Sequence, residues 1–388
     1  MAVANISLNF CGGAQAVALE IINALANRGH SVTLITADKV NWEKIKDLMG
    51  FSRIVRREIS VVSYDLVESM EKDPKNALHL VFSFLRKLFG AKKRYDVVVN
   101  SYGDLDVSVN FADITLFASF PFSLSGLFPD MAPIYLKKPF FITVYKIFRE
   151  LFVRRPSGIL LTNSIFMKRI LRKYLGWNAA VLHPPVKVDD FYTAERKENV
   201  VVTVSRYVPG KELYKVLLVA RKVPKVRFIV VGRTYDEGHL SILMEIRDSL
   251  QLEGRVEFLS DLPRKQLLDL LSRAKVYLHT KRREPFGMSV IEVMASGCVP
   301  IVPREGGPWT DILNEKDGLY GYSYHNIEEA AMHIKRLISE DSLREKISKR
   351  CIERSRSFSR EVFHKRIIEI VESCALDSRT RGINPLSL

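Results

Sequence analysis

Two carboxylates eight positions apart, Glu284 and Glu292, bracket the stretch of this chain best suited to hold an anion. It reads Lys281-Arg282-Arg283-Glu284-Pro285-Phe286-Gly287-Met288-Ser289-Val290-Ile291-Glu292 and runs on to Gly297, Pro300 and Val302. The apolar run 276–279 predicts a strand leading into it. A helix is expected from Ser289 to Gly297, with a second apolar strand after it. A strand–loop–helix–strand unit of this kind aims the backbone N–H groups of Met288 and Ser289 above the sheet. A helix N-terminus carries about half a positive charge, so a phosphate suits that place. The flanking arginines and glutamates point to a charged, hydroxyl-bearing ligand such as a nucleotide sugar. The same spacing also has a structural reading. Ser289-x-x-Glu292 fits a capping box, in which Glu292 only satisfies a free backbone N–H.

Other chemistry-bearing residues lie at comparable places. The apolar run 200–204 empties into Ser205-Arg206-Tyr207-Val208-Pro209-Gly210-Lys211. Arg206 as a fork and Lys211 as a point charge are suited to a diphosphate, and solvated loop cations are the bland alternative. Gly12 and Gly13 follow the first apolar run and permit close approach of a phosphate or sugar, or simply a tight turn. They lack the G-x-G-x-x-G spacing, which disfavours a nicotinamide cofactor. Asp104-Leu105-Asp106 is a D-x-D pair, a metal chelate in one class of sugar transferase, but no third carboxylate stands nearby.

These residues need scaffolds, and the chain supplies alternating strands and helices. In the first half, strands are expected at 3–10, 32–36, 96–100, 114–119 and 159–163, with helices at 15–27 and 164–175. Pro184-Pro185 is a stiff connection and marks a boundary. The pattern then restarts, with strands at 200–204, 226–231 and 256–259 and helices from about 211, at 240–250 and at 263–274. Residues 357–374 read as an amphipathic helix that reaches back across the first domain, and 379–388 as a tail. The expected fold is α/β, two Rossmann-like, doubly wound parallel sheets. Domains are placed at 1–185 and 186–356, with the returning helix and tail at 357–388.

One segment, 139–155, carries Phe141, Tyr145, Phe148 and Phe152 at helical spacing, with Lys146, Arg149 and Glu150 on the other side. Lys137-Lys138 and Arg154-Arg155 bracket it, and 86–94 is a second basic patch. Such a helix packs on its own domain or lies on an anionic membrane.

Composition bounds the function. At 388 residues with a formal charge of +15, the chain has room for two domains and calls for an anionic partner. Cys11, Cys298, Cys351 and Cys374 are scattered, with no metal-ligand spacing, so no zinc site and a reducing compartment are expected. Neither a cleavable leader nor an apolar run of membrane-spanning length is recognised. The lysines and arginines form no known nucleic-acid motif, and no nucleic-acid partner is expected, although the net charge keeps that alternative testable.

The glycine pair, the R-x4-K of Arg206 and Lys211, and the E-x7-E of Glu284 and Glu292 with Ala295-Ser296-Gly297-Cys298-Val299-Pro300 together resemble the retaining glycosyltransferases of family 4. The resemblance spans most of the chain. It implies the GT-B fold with a nucleotide sugar in an interdomain cleft. Phe117-Ala118-Ser119-Phe120-Pro121, Thr162-Asn163-Ser164 and His183-Pro184-Pro185 are most similar to the α-1,2-mannosyltransferase branch, which extends lipid-linked oligosaccharides for N-glycosylation. By that resemblance Arg206 and Lys211 neutralise the donor diphosphate, and Glu292 accepts from the ribose hydroxyls. Glu284 sits by the hexose, Gly287, Met288 and Ser289 contact sugar or phosphate, and Gly12 and Gly13 close on the donor. It also implies a UDP- or GDP-hexose donor, no metal or other cofactor, and a lipid-linked glycan acceptor. The scattered cysteines together with the basic and aromatic segments lead to the expectation of a cytoplasmic protein peripheral on the inner face of the cell membrane. A soluble acceptor, as for sucrose- or glycogen-type enzymes, is the alternative. Ser119 stands where that branch usually has a histidine.

Overall fold

The computed structural model describes residues 1–62, 74–128, 139–153, 156–234 and 237–382. The chain divides into two compact units. One comprises Met1–Asn163, Met167–Pro184 and Glu361–Leu388; the other comprises Ser164–Phe166 and Pro185–Arg360.

In the first unit, β1 (Ala2–Ala4), β2 (Thr33–Thr36), β3 (Arg57–Ser60), β4 (Val98–Asn100), β5 (Ile114–Phe117), β6 (Ile159–Thr162) and β7 (Ala180–Val181) form one sheet. Its order is β3-β2-β1-β4-β5-β6-β7, with every pair parallel. Side chains alternate across it: Ala2, Ala4 and Val98 join one buried cluster, while Val3, Val97 and Val99 join another. That is the period-two geometry of a sheet covered on both faces. The helix Arg360–Gly382 buries Phe363, Ile367 and Val371, four apart, in the second of these clusters. His364 Nε2 meets Glu20 at 2.8 Å, and Glu372 meets Arg28 at 3.0 Å.

In the second unit, β8 (Glu198–Val204), β9 (Arg227–Gly232), β10 (Val256–Ser260), β11 (Ala274–Leu278), β12 (Val299–Pro303) and β13 (Tyr322–Tyr324) form a parallel sheet. The order is β10-β9-β8-β11-β12-β13. Both units are therefore doubly wound parallel α/β structures, as the sequence predicts. In each, the strand order reverses once, between β1 and β4 and between β8 and β11. Ligands of open α/β sheets bind beyond the strand C-termini at such a reversal.

Several elements differ from the sequence reading. The strand expected at 3–10 stops at Ala4, because polar side chains turn the chain away: Asn5 Nδ2 bonds Ser101 Oγ at 3.0 Å and Ser7 Oγ bonds Asp38 at 2.7 Å. The helix expected from about 211 begins at Tyr214, after a 3-10 turn Pro209–Lys211 closed by Glu212 at φ +53°. The basic patch at 86–94 is the end of a longer helix, Pro74–Lys92. The aromatic segment is a helix, Pro139–Phe152, that turns Tyr145 inward and leaves Ile147 and Leu151 59% and 69% exposed. Arg149 does not sit on its polar side but reaches the buried Asp106 at 3.1 Å. Lys137, Lys138, Arg154 and Arg155, and the side chains of Phe141 and Phe152, lie outside the described residues.

Candidate functional site

The loops after β8 and β11 leave the second sheet side by side, since Tyr277 of β11 is in register with Val202 of β8. Each loop is pinned from below. Tyr207, fully buried, donates to the carbonyls of Val230 and Leu259, at 2.7 and 3.0 Å. Thr280 Oγ1 donates to the Lys211 carbonyl at 2.7 Å and ties the two loops together. Gly306 and Gly307 lie against the 284–286 backbone. A Cβ on Gly307 would meet the Pro285 carbonyl oxygen at 2.4 Å, so only glycine fits.

This scaffold brings Lys211 Nζ to 2.7 Å from Glu284 Oε2. Lys281 Nζ and His279 Nε2 each stand 3.9 Å from the same oxygen. Both partners of the short pair are largely buried, at 17% and 15% side-chain exposure. Burial alone would push the Glu284 carboxyl up, but Lys211, then Lys281, hold it well below the usual carboxylate range. Burial lowers the Lys281 ammonium, Glu284 draws it back up, and Lys211 and Arg206 push it down again. Arg206 itself is exposed on the rim. Two lysines thus share one carboxylate, and with Arg206 acting on Lys281 the excess positive charge favours an incoming anion.

The helix over the site runs Met288–Ala295, one residue earlier than expected at its start and two residues short of Gly297. Gly287 is its N-cap at φ +98°, and no side chain caps it. The capping box is therefore not formed. Ser289 Oγ instead meets the Tyr277 hydroxyl at 3.0 Å, and no described residue hydrogen-bonds the half-buried Glu292 carboxylate. Burial raises Glu292 above the ordinary range, Arg264 opposes that, and Asp190 adds to it. The Glu292 oxygens remain open to solvent, so a ligand hydroxyl can supply the donor.

Glu284, Lys211, Arg206, Gly287, Met288, Ser289 and Glu292 thus belong to one unit, on the two loops and the helix at its sheet reversal. Gly12 and Gly13 belong to the other unit, where they open the helix Gly13–Asn27 just beyond β1. There the Gly12 N–H donates to Gln15 Oε1 at 3.2 Å. In the same unit Ser119 N donates to Asp104 at 2.8 Å, and burial pushes the Asp104 carboxyl up to about 7 despite that bond. Asp106 accepts from the Tyr145 hydroxyl at 2.6 Å and pairs with Arg149. The two D-x-D carboxylates are thus engaged in fixing loops. Among the described residues no three histidine, cysteine or carboxylate side chains gather as for a metal ion. Sequence reasoning passed over Lys281 and His279. The first looks like one of three solvated loop cations, and the second like the end of an apolar strand. The available signal was their position at the C-terminus of the strand beside the reversal.

Two doubly wound parallel-sheet units in tandem are the fold of GT-B glycosyltransferase structures, and the second unit matches a glycosyl transferase domain family. The family described as glycosyl transferases group 1 matches residues 188–354. Among curated relatives, the Dictyostelium discoideum GDP-Man:Man(3)GlcNAc(2)-PP-Dol alpha-1,2-mannosyltransferase is 24% identical over 254 residues, covering 59% of this chain and 50% of that protein. The chain spans about half the length of the curated relatives it matches. Among solved structures, sucrose-phosphate synthase from Thermosynechococcus elongatus superposes with a TM-score of 0.74 at 16% identity, covering 96% of this chain and 98% of that one. HepE from Anabaena, solved with UDP and glucose, gives 0.70 at 17%, covering 96% and 99%. At these identities the structures speak for the fold.

Proposed function

We propose that the protein is a retaining hexosyltransferase. It moves mannose or glucose from a UDP- or GDP-hexose to a lipid-linked glycan, in N-glycosylation or cell-surface glycan assembly. The observation that carries this reading is the pairing of a cation-rich cluster with a carboxylate that no described residue engages. Lys211 and Lys281 flank Glu284, Arg206 adds charge beside Lys281, and no described residue hydrogen-bonds the Glu292 carboxylate. A departing nucleoside diphosphate needs charge stabilisation, which those cations and the helix N-terminus at Met288 and Ser289 supply without a metal. Glu292 takes the ribose hydroxyls, Glu284 faces the hexose, and Gly12 and Gly13 keep the donor-contacting role that the resemblance gives them. The relatives named as mannosyltransferases favour mannose and a lipid-linked acceptor.

The same reading places the protein on the cytoplasmic face of an anionic membrane. No helix among the described residues is long and apolar enough to cross a bilayer. Exposed Ile147, Leu151, Phe82 and Phe89 lie on two helices whose rings meet at Phe82 and Phe148, 4.8 Å apart, and Lys93 covers Phe89. Apolar side chains rimmed by basic ones fit the interfacial layer.

A panel of UDP- and GDP-hexoses, screened for protection against thermal unfolding, tests the donor. A ligand at about 100 times its dissociation constant adds roughly 2.7 kcal/mol. No protection by any member would refute the reading. Transfer to plain sugars without a lipid carrier would favour the soluble-acceptor alternative, and loss of transfer in a chelator would overturn the metal-free route.

A further inference from the structure

His279 has no part in the roles assigned so far, yet it occupies the centre of the site. It is 6% exposed, and its Nε2 has no hydrogen-bond partner. That atom faces Glu284 Oε2 at 3.9 Å, too long for a hydrogen bond. The rest of the residue is held on every side. Its N–H donates to the Ile301 carbonyl at 2.8 Å, and its own carbonyl accepts from the Tyr324 hydroxyl at 2.8 Å. Its Nδ1 lies 3.1 Å from the Tyr277 hydroxyl, which in turn lies 3.0 Å from Ser289 Oγ.

This chain of three polar groups sets the tautomer. If Nδ1 carried the proton, the bare Nε2 lone pair would face the Glu284 carboxylate, which is repulsive. The opposite direction avoids this: Ser289 Oγ–H donates to Tyr277, Tyr277 O–H donates to Nδ1, and Nε2 carries hydrogen toward Glu284. Burial among two lysines keeps the ring neutral, lowering its pKa to about 4. The site therefore presents an unspent N–H donor beside an ionised acceptor. Two hydrogen bonds of about 2.8 Å that meet at one oxygen across this 3.9 Å gap enclose about 90° there. A hydroxyl is the group that accepts one hydrogen bond and donates another at a single oxygen; a phosphate oxygen cannot donate to Glu284.

We propose that His279 and Glu284 together clasp one hydroxyl of the hexose on a nucleotide diphosphate sugar. Nε2–H donates to the hydroxyl oxygen, and Glu284 accepts the hydroxyl hydrogen. Tyr277 and Ser289 are positioning residues that fix the imidazole tautomer. The inference rests on the hexosyl-transfer reading and adds a residue that discriminates the sugar rather than the nucleotide.

The test titrates the full chain with UDP, GDP and their glucose and mannose conjugates by calorimetry, in wild type, His279→Leu, His279→Gln and Tyr277→Phe. His279→Leu should lose about tenfold in affinity for the nucleotide hexose, the scale of one unmade hydrogen bond, and nothing for the nucleoside diphosphate. His279→Gln, whose amide N–H reaches near the Nε2 position, should recover part of that loss; it also serves if His279→Leu does not fold. Tyr277→Phe should lose less, in the same hexose-selective direction. An equal loss for diphosphate and hexose conjugate would put His279 on the phosphate and overturn the clasp while leaving hexosyl transfer standing. No loss for either in both His279 variants would also overturn it. If wild type binds none of the six compounds, the hexosyl-transfer reading itself fails.

Discussion

Replacing Glu284 by glutamine, a change of charge with almost no change of shape, tests the electrostatic account of the site. At an effective dielectric of 20, the 2.7 Å pair with Lys211 corresponds to about 6 kcal/mol of gross attraction, and the 3.9 Å approach of Lys281 to about 4 kcal/mol. Removing the carboxylate also removes its own desolvation penalty of several kcal/mol, but it leaves two largely buried ammonium groups with no counter-ion. The expected net loss is about 2–4 kcal/mol at neutral pH, measured by urea unfolding. The sign of the pH dependence follows from the depressed carboxyl. Its stabilisation is complete above the unfolded value of about 4.3 and is lost as pH falls through the lower folded value. The gap between wild type and Glu284→Gln should therefore hold from about pH 7 to pH 5 and shrink below about pH 4. The same variant should bind UDP or GDP at least as tightly as wild type, since Lys211 and Lys281 are then unopposed, while transfer is lost. A variant as stable as wild type at pH 7, or one whose diphosphate affinity falls more than about tenfold, would refute this charge count.

Three further outcomes are expected. Glu292→Gln should weaken nucleoside diphosphate binding about tenfold by calorimetry, through lost hydrogen bonds to a charged acceptor, without lowering the melting temperature, because burial already opposes that charge. Gly307→Ala forces a Cβ against the Pro285 carbonyl and should cost about 1–3 kcal/mol in urea unfolding, with transfer falling as the 284–286 backbone shifts. Ile147→Glu with Leu151→Glu, at positions already exposed, should leave the melting temperature unchanged and reduce cosedimentation with anionic phospholipid vesicles severalfold.

Much of the fold was legible because parallel strands buried on both faces are written as continuous apolar runs. The runs at 200–204 and 276–279 are of this kind, and β8 and β11 fall on them within a few residues. Element ends were less legible, because local polar bonds set them. Asn5 and Ser7 end β1 through partners far along the chain, at Ser101 and Asp38. The strand Arg57–Ser60 and the helix Pro74–Lys92 escaped notice. The first has only one apolar residue in four, and only the basic end of the second drew attention.

For the site, spacing alone could not separate a helix cap from a ligand group at Ser289 and Glu292, since both readings place a hydroxyl and a carboxylate in the first turn. What separates them is a partner outside the motif. The helix starts one residue earlier, at Met288 with Gly287 as its N-cap, and Tyr277, twelve residues before Ser289, engages the Ser289 hydroxyl. Tyr277 can do so only because β11 is parallel to β8 and ends level with the helix start, a relation fixed by sheet register rather than by sequence distance. The turn out of β11 places His279 and Lys281 each 3.9 Å from Glu284, which lies on the same connection. Residues i and i+2 of a strand share a face, so Tyr277 and His279 were bound to point the same way once the strand was known. The relay from Ser289 through Tyr277 to His279 is thus a consequence of strand periodicity and helix placement together, and neither alone would have produced it.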